Sequence, residues 1–386
     1  MKQIALIGIG NCGSQAVALA EEKYPELFDC VYINTSESDL GMVNSDSLKI
    51  KIGENDEVYG SGKNRNKMKS FLREDIKKVL TNEDLIECIR DKKYVFIISS
   101  CAGGTGSGAS PAMFEMLRTR FVDPQFVLVG VLPKLQDSMS DQGNSLEYLN
   151  ELYETLGNDT TYMIYDNDTV SHMSPTRALE VVNENIIEDI RIITGIDNFP
   201  TKYESIDSAD MESLIRTPGR LIVARIKTGL SEKEMEENQF DEKLIKAIKS
   251  SAHAETDRNK RVVRWGIITH LTEQVNALYD PKLEKLVEFI GTPQERFNHN
   301  SVHEAPESQN FIYLIAAGLS PINDRAKKMS DRVRELKEAL AKDDTNTYRL
   351  SDDSAVNDAL ELRKNTNERM NLEKFNPESI MDKFMK

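Results

Sequence analysis

The sequence predicts an α/β fold: a parallel-sheet domain joined by a long central helix to a smaller α+β domain, with a C-terminal helix and a tail. Three observations carry this. The first third of the 386 residues alternates continuous apolar runs with amphipathic stretches, the pattern of parallel strands covered on both faces. Residues 174 to 194 repeat apolar side chains at helical spacing over a length that needs a core to bury it. Beyond residue 200 the strands are spaced by highly charged helical stretches, which marks a second domain.

In the first domain, residues 1–173, the strands are KQIALIGI (2 to 9), DCVYINT (29 to 35), KYVFIISS (93 to 100), QFVLVGVLP (125 to 133) and TYMIYD (161 to 166). The central helix, 174–195, buries Leu179, Val182, Ile186, Ile187, Ile190 and Ile193; Pro175 suits its first turn and Gly195 its end. The second domain, 196–320, has strands in LIVARIK (221 to 227), VVRWGIITHL (262 to 271) and NFIYLIAAGL (310 to 319). INDRAKKMSDRVRELKEALAK makes a helix within 321–342, and 343–386 reads as a flexible tail whose end, FNPESIMDKFMK, is suited to order on a partner.

With 49 basic against 64 acidic residues the net charge is −15, which disfavours direct contact with nucleic acid or an anionic membrane. No stretch approaches the roughly 20 apolar residues of a membrane span, so a cytoplasmic protein is expected. The four cysteines lack CxxC spacing and read as free thiols. His299 and His303 have an i, i+4 spacing, but neighbouring asparagines and Pro306 place them in a loop as a solvated pair; no protein metal ligand is expected.

Two glycine-rich loops follow strands of the first domain. GIGNCGSQ (8 to 15) has the GxGxxG form that turns backbone amides and a helix N-terminus toward an anion. The second strand ends in Asn34 and Thr35, without the acidic residue a dinucleotide fold places on the ribose. AGGTGSG (102 to 108) offers a second cradle of small residues with the Thr105 and Ser107 hydroxyls, and no lysine of the GxxxxGK[ST] type. Two cradles on neighbouring strands suit a nucleotide with several phosphates, held mainly by amides.

AGGTGSG resembles the GGGTG[ST]G signature of the tubulin/FtsZ superfamily of polymerising GTPases, with Ala102 at the first glycine position. The resemblance implies a nucleotide-binding first domain with GTP or GDP as ligand, Mg2+ as its companion, and contacts from five further segments. Gly10, Asn11, Cys12, Gly13 and Gln15 resemble the first loop; Asn34 and Thr35, the second; Gly62, Lys63 and Asn64 in GSGKNRN, the loop that senses the γ-phosphate, with Arg65 adding positive charge beside it. Ala102, Gly103, Gly104, Thr105, Gly106 and Ser107 make the signature loop. Asn167 in YDND and Asn183 on the central helix stand where the family contacts guanine, and Leu179 stands where it usually stacks an aromatic ring.

SIDSAD (205 to 210) is similar to the family's NxDxxD loop, with Ser205 at the first position. By that resemblance Asp207 and Asp210 orient the attacking water on the nucleotide of the adjacent subunit, so that a head-to-tail protofilament completes the site. The alternative for the same residues is a helix N-cap. The tubulin-like loops, modest length and charged C-terminal helix look most like the TubZ/PhuZ group of plasmid- and phage-encoded bacterial tubulins, with an FtsZ-like cell-division GTPase as the alternative. That group implies filaments that segregate or position DNA in the cytoplasm of a bacterial host, with the tail reaching the next subunit or a DNA-binding adaptor.

Overall fold

Strand β1, Ile4–Ile9, is buried along its whole length, as expected of an apolar run with neighbours on both edges and helices on both faces. The computed structural model describes residues 2–53, 61–195, 206–235, 240–257, 260–279, 281–342 and 377–385. These fall into two units, Met1–Gly157 with Asp324–Lys386, and Asn158–Asn323.

In the first unit β1 is joined by β2 (Phe28–Asn34), β3 (Leu48–Lys51), β4 (Tyr94–Ser100) and β5 (Gln125–Leu132). Their order is β3-β2-β1-β4-β5, all parallel, with Ile4 opposite both Phe28 and Tyr94. The chain runs outward from β1 in one direction and from β4 in the other, so the connections after these two strands diverge and leave a crevice at their carboxyl ends. Helix Gly10–Lys23 follows β1, and helix Gly104–Arg120 follows β4 and packs against helix Arg65–Leu80.

The second unit contains β6 (Thr161–Asp166), β7 (Gly219–Ile226), β8 (Arg264–Thr272), β9 (Glu295–His303) and β10 (Phe311–Leu319). Here β10 is antiparallel to β7 and β8, while β6 runs with β7 and β9 with β8. Trp265, Leu244, Leu286 and Ile290 anchor the core on one face of this sheet. The helix Pro175–Thr194 belongs to this unit and starts after Ser174 and stops at Gly195. Its buried face carries one carboxylate, Asp189, which accepts from Tyr165 Oη at 2.8 Å and meets His253 Nε2 at 3.0 Å and Arg225 Nε at 3.3 Å. A carboxylate removed from water needs such partners.

Two expectations change. His299 and His303 are neither looped nor solvated: both lie in β9, where His299 is buried and accepts at Nδ1 from Ile206 N, and His303 stacks on His270 at 4.2 Å. Asparagines lower the strand propensity of FNHNSVH, but nine residues of parallel register with β8 supply the pairing, and Pro306 acts only beyond the strand. At the C-terminus, Pro377–Phe384 is a helix seated on the protein's own first unit, against helices Arg65–Leu80 and Gly104–Arg120 and the π-helical turn Glu151–Thr155. Ile380, Met381 and Phe384 are buried there, and Asp382 pairs with Arg73 at 2.7 Å.

Phe384→Asp places a charge in that apolar seat and should release the helix. Amide exchange of residues 377–384 then loses its protection while β4 keeps its own; retained protection in 377–384 would contradict the packing.

Candidate phosphate site and acidic loop

Helix Gly10–Lys23 begins directly at the end of β1, at a Gly10 with φ +74. A Cβ at Gly10 would lie 3.0 Å from Gly106 N, which brings the first loop against the signature loop. On the other side, a Cβ at Gly104 would lie 2.7 Å from Lys63 Cα and 2.8 Å from Asn64 N. Loops 8–13, 61–64 and 100–108 therefore meet main chain to main chain. The first-turn amides of Gly10, Asn11 and Cys12, and of Gly104, Thr105 and Gly106, have no intrahelical acceptor, and two helix dipoles add positive potential where they gather.

Thr105 is the bridge among the loops: its Oγ1 shares hydrogen bonds with Thr35 Oγ1 at 2.8 Å and Ser61 Oγ at 3.2 Å. Around it, several predicted contacts are occupied locally. Ser100 Oγ accepts from the amides of Ala102 (3.1 Å) and Gly103 (3.4 Å), and Ser107 Oγ donates to Gly103 O. Asn34 is buried in its own turn, accepting from Thr35 N at 2.8 Å and donating to Asp39 at 3.2 Å. Gln15 Nε2 reaches Asn11 Oδ1 at 3.4 Å, and Asn64 caps helix Arg65–Leu80 by accepting from Lys67 N.

The positive charge expected beside the site is neutralised in place. Lys63 Nζ donates to both carboxylate oxygens of Asp141, at 2.8 and 2.9 Å. Arg65 is buried, donates to Ser107 O at 2.6 Å, and pairs with Glu147 at 3.0 Å and Glu151 at 2.6 Å. Its hydrogen bond to Ser107 has a covalent reason: Pro111, inside helix Gly104–Arg120, lacks the N–H that would bond the carbonyl four residues back. Burial pushes the Glu147 carboxyl above its usual range, against the pull of Arg65. It pushes the half-buried Cys12 thiol up to about 12, so that this sulfur is a neutral thiol at neutral pH.

Asn167, Leu179 and Asn183 belong to the second unit. Asn167 opens the turn Asn167–Val170, which Asp166 caps by accepting from Asp168 N at 3.0 Å. Its Oδ1 is buried without a hydrogen-bond partner among the described residues. Leu179, expected among the buried residues of the central helix, is instead 45% exposed, and Asn183 is half-buried one turn further along the same helix.

Asp207 and Asp210 open helix Ser208–Ile215 as a reciprocal capping box. Asp207 Oδ1 accepts from Ala209 N and Asp210 N, each at 2.8 Å, and Asp210 Oδ2 accepts from Asp207 N at 3.2 Å. The capping alternative is thus realised in the geometry. One oxygen of each carboxylate carries those bonds; Asp207 is exposed and Asp210 half-buried. Ser205 lies outside the described residues.

Residues 3–175 match the family model described as Tubulin/FtsZ family, GTPase domain. By that match, residues 3–175 are a domain of the tubulin/FtsZ family. The tubulin-like protein CetZ of Pyrococcus horikoshii is 25% identical over 220 residues, 55% of this chain and 58% of that protein. The chain thus spans little more than half the length of this curated relative. The crystal structure of Clostridium botulinum phage c-st TubZ superposes with a TM-score of 0.69 at 19% identity, covering 88% of this chain and 100% of that one. CetZ2 from Haloferax volcanii, a GTPγS-bound protofilament, gives a TM-score of 0.67 at 16% identity over 89% of this chain and 99% of its own. Both likenesses establish the tubulin/FtsZ fold.

Sequence reasoning missed Ser61, Asp141 and Asn144 in this tubulin/FtsZ domain. Asn144 Nδ2 donates to Lys63 O at 3.0 Å and Ala102 O at 2.7 Å. The signal was positional: SDQGNS follows β5, the strand beside β4, so its helix opens at the same end of the sheet as the signature loop.

Gly104→Ala should cost about 1–3 kcal/mol through forced overpacking, whereas Gly103→Ala, whose added carbon would meet only Ser100 Cβ at 4.0 Å, should cost far less. Thermal unfolding of the two variants checks the contrast. Because its thiolate is scarce at pH 8, Cys12 should alkylate at least about a hundredfold more slowly than free cysteine and gain reactivity as pH rises toward 12; mass spectrometry of iodoacetamide-treated protein reads this directly.

Proposed function

We propose that this chain is a polymerising GTPase whose filaments segregate or position plasmid or phage DNA. The observation that carries the reading is the closure of three loops on one spot, with Thr105 bridging Thr35 and Ser61 and the nearby cations already paired. A polyphosphate held there is gripped by amides and helix dipoles. In this reading Gly10, Asn11, Cys12, Gly13, Gly104, Thr105 and Gly106 hold the phosphates, and Gly62, Lys63 and Asn64 face the terminal one. Asn34 and Gln15 act by fixing their loops.

For guanine, the support is the orphaned Asn167 Oδ1, with Leu179 and Asn183 spaced one turn apart on an accessible helix face. No group of three or more His, Cys, Asp or Glu side chains among the described residues is arranged to hold a metal. Mg2+ would then be held by phosphate oxygens and water, where it neutralises charge developing during phosphoryl transfer.

Asp207 and Asp210 are proposed to act on the nucleotide of the next subunit, orienting the attacking water. This reading keeps GTP hydrolysis dependent on assembly. The support is that the first unit has no comparable carboxylate pair among its proposed phosphate contacts, and that a GTPγS-bound relative forms a protofilament. No helix among the described residues is long and apolar enough to cross a membrane, and with a net charge of −15 contact with DNA would run through an adaptor, with the tail ahead of the docked helix Pro377–Phe384 as the proposed handle.

Sedimentation, electron microscopy and phosphate release with GTP, GDP, NAD or no nucleotide test the proposal. GTP should support filaments and hydrolysis; Asp210→Ala should lower hydrolysis by about a hundredfold or more while filaments form and persist. Binding of NAD without assembly would overturn the reading.

A further inference from the structure

Gly62 and Lys63 both adopt left-handed backbone, with φ of 57 and 62. Among the described residues Lys63 is the only non-glycine with a positive φ, a conformation that persists only when its surroundings impose it. The turn closes through Asn64 N donating to Ser61 O at 3.0 Å, and the side-chain contacts that hold it come from helix Met139–Asn150. Its Asn144 donates one amide hydrogen to Lys63 O at 3.0 Å and the other to Ala102 O at 2.7 Å, so both donors of a single side chain join the two loops. One turn earlier, Asp141 takes the Lys63 ammonium at 2.8 Å. Arg65, next to Asn64, donates to Ser107 O at 2.6 Å and to Asn144 O at 3.4 Å.

The helix is itself anchored. Ser138 caps it by accepting from Asp141 N at 3.2 Å and donates to Asp141 Oδ2 at 2.5 Å, and Gln142 Nε2 donates to Lys134 O at 2.6 Å. It can therefore hold the loops at a set separation.

We propose that helix Met139–Asn150 is a clamp for the loop Ser61–Asn64, with Asn144 as a positioning residue that sets this loop against the signature loop and so favours a nucleoside triphosphate over a diphosphate. The preference for triphosphate rests on the proposed function, in which Gly62, Lys63 and Asn64 face the terminal phosphate. A diphosphate is held by the amides of residues 10–13 and 104–106 and is little affected by a displaced 61–64 loop. A triphosphate needs all three loops in register. Lys63 fits the same scheme: paired to Asp141, it fixes the strained turn, and the terminal phosphate is left to the amides.

The test compares the full chain with Asn144→Leu, neutral and of similar volume, and with Asn144→Gln, which keeps the amide. Fluorescent GTPγS and GDP report binding, and amide exchange of residues 61–64 in nucleotide-free protein reports the loop. Asn144→Leu should weaken GTPγS about tenfold, leave GDP within about twofold and speed exchange at 61–64, with Asn144→Gln recovering part of each loss. Equal weakening of both nucleotides would show a merely structural residue and overturn the specificity claim. Unchanged exchange at 61–64 would overturn the clamp whatever binds. Absence of nucleotide binding by the wild-type chain would overturn the GTP reading and the triphosphate preference with it, while faster exchange in Asn144→Leu would still uphold the clamp.

Discussion

The contact on which the rest depends is the approach of main chain to main chain at the carboxyl ends of β1 and β4. Gly104 lies so close to Lys63 and Asn64, and Gly10 to Gly106, that no side chain fits between the three loops. Sheet topology creates the opportunity, because connections leaving β1 and β4 diverge and open a crevice there. Small residues then convert the crevice into a surface of amide hydrogens. Without the first condition the glycines would be ordinary turns; without the second the crevice would fill with its own side chains.

This surface needs positive potential, and the chain supplies it with little free cationic charge. Overall the chain is acidic, and the two cations nearest the loops are tied to Asp141, Glu147 and Glu151. Their work is architectural. Pro111 leaves Ser107 O without its helical donor, a buried acceptor that would be costly unpaired; the Arg65 guanidinium supplies the missing hydrogen and fixes the start of the neighbouring helix to the signature loop. A proline that looks like a helix fault is thereby a connection point between two loops. What faces an anion is mainly oriented dipoles, which are fixed by the fold and need no side-chain ordering on binding.

Apart from β3, the strands of the first unit were legible because a parallel strand buried on both faces must be continuously apolar, and the central helix because Ser174-Pro175 and Gly195 punctuate it. β3 and β9 were not. β3 spans four residues with two lysines, and β9 is rich in asparagine and histidine; both owe their form to a neighbouring strand more than to local preference. In the site, spacing revealed which loops are glycine-rich. It did not reveal where Lys63 and Arg65 turn, since that depends on acidic residues some eighty positions later, nor that Asn34 is spent on its own turn. Asn144 has no motif, and its importance arises from two carbonyls that only the fold brings together.

Asp207 and Asp210 show why a structural and a chemical reading of the same residues need not compete. A capping box satisfies helix-start amides with one oxygen of each carboxylate and holds both side chains by reciprocal bonds. The second oxygen of each is then presented in a direction set by the helix rather than by a freely rotating side chain. Orientation of a water demands such restraint, because misplacement by an ångström costs orders of magnitude in rate. Ile206 N, held by buried His299 in β9, ties the start of the helix to the sheet. The cap is therefore compatible with the proposed reaction, in which a restrained carboxylate would face a neighbouring molecule.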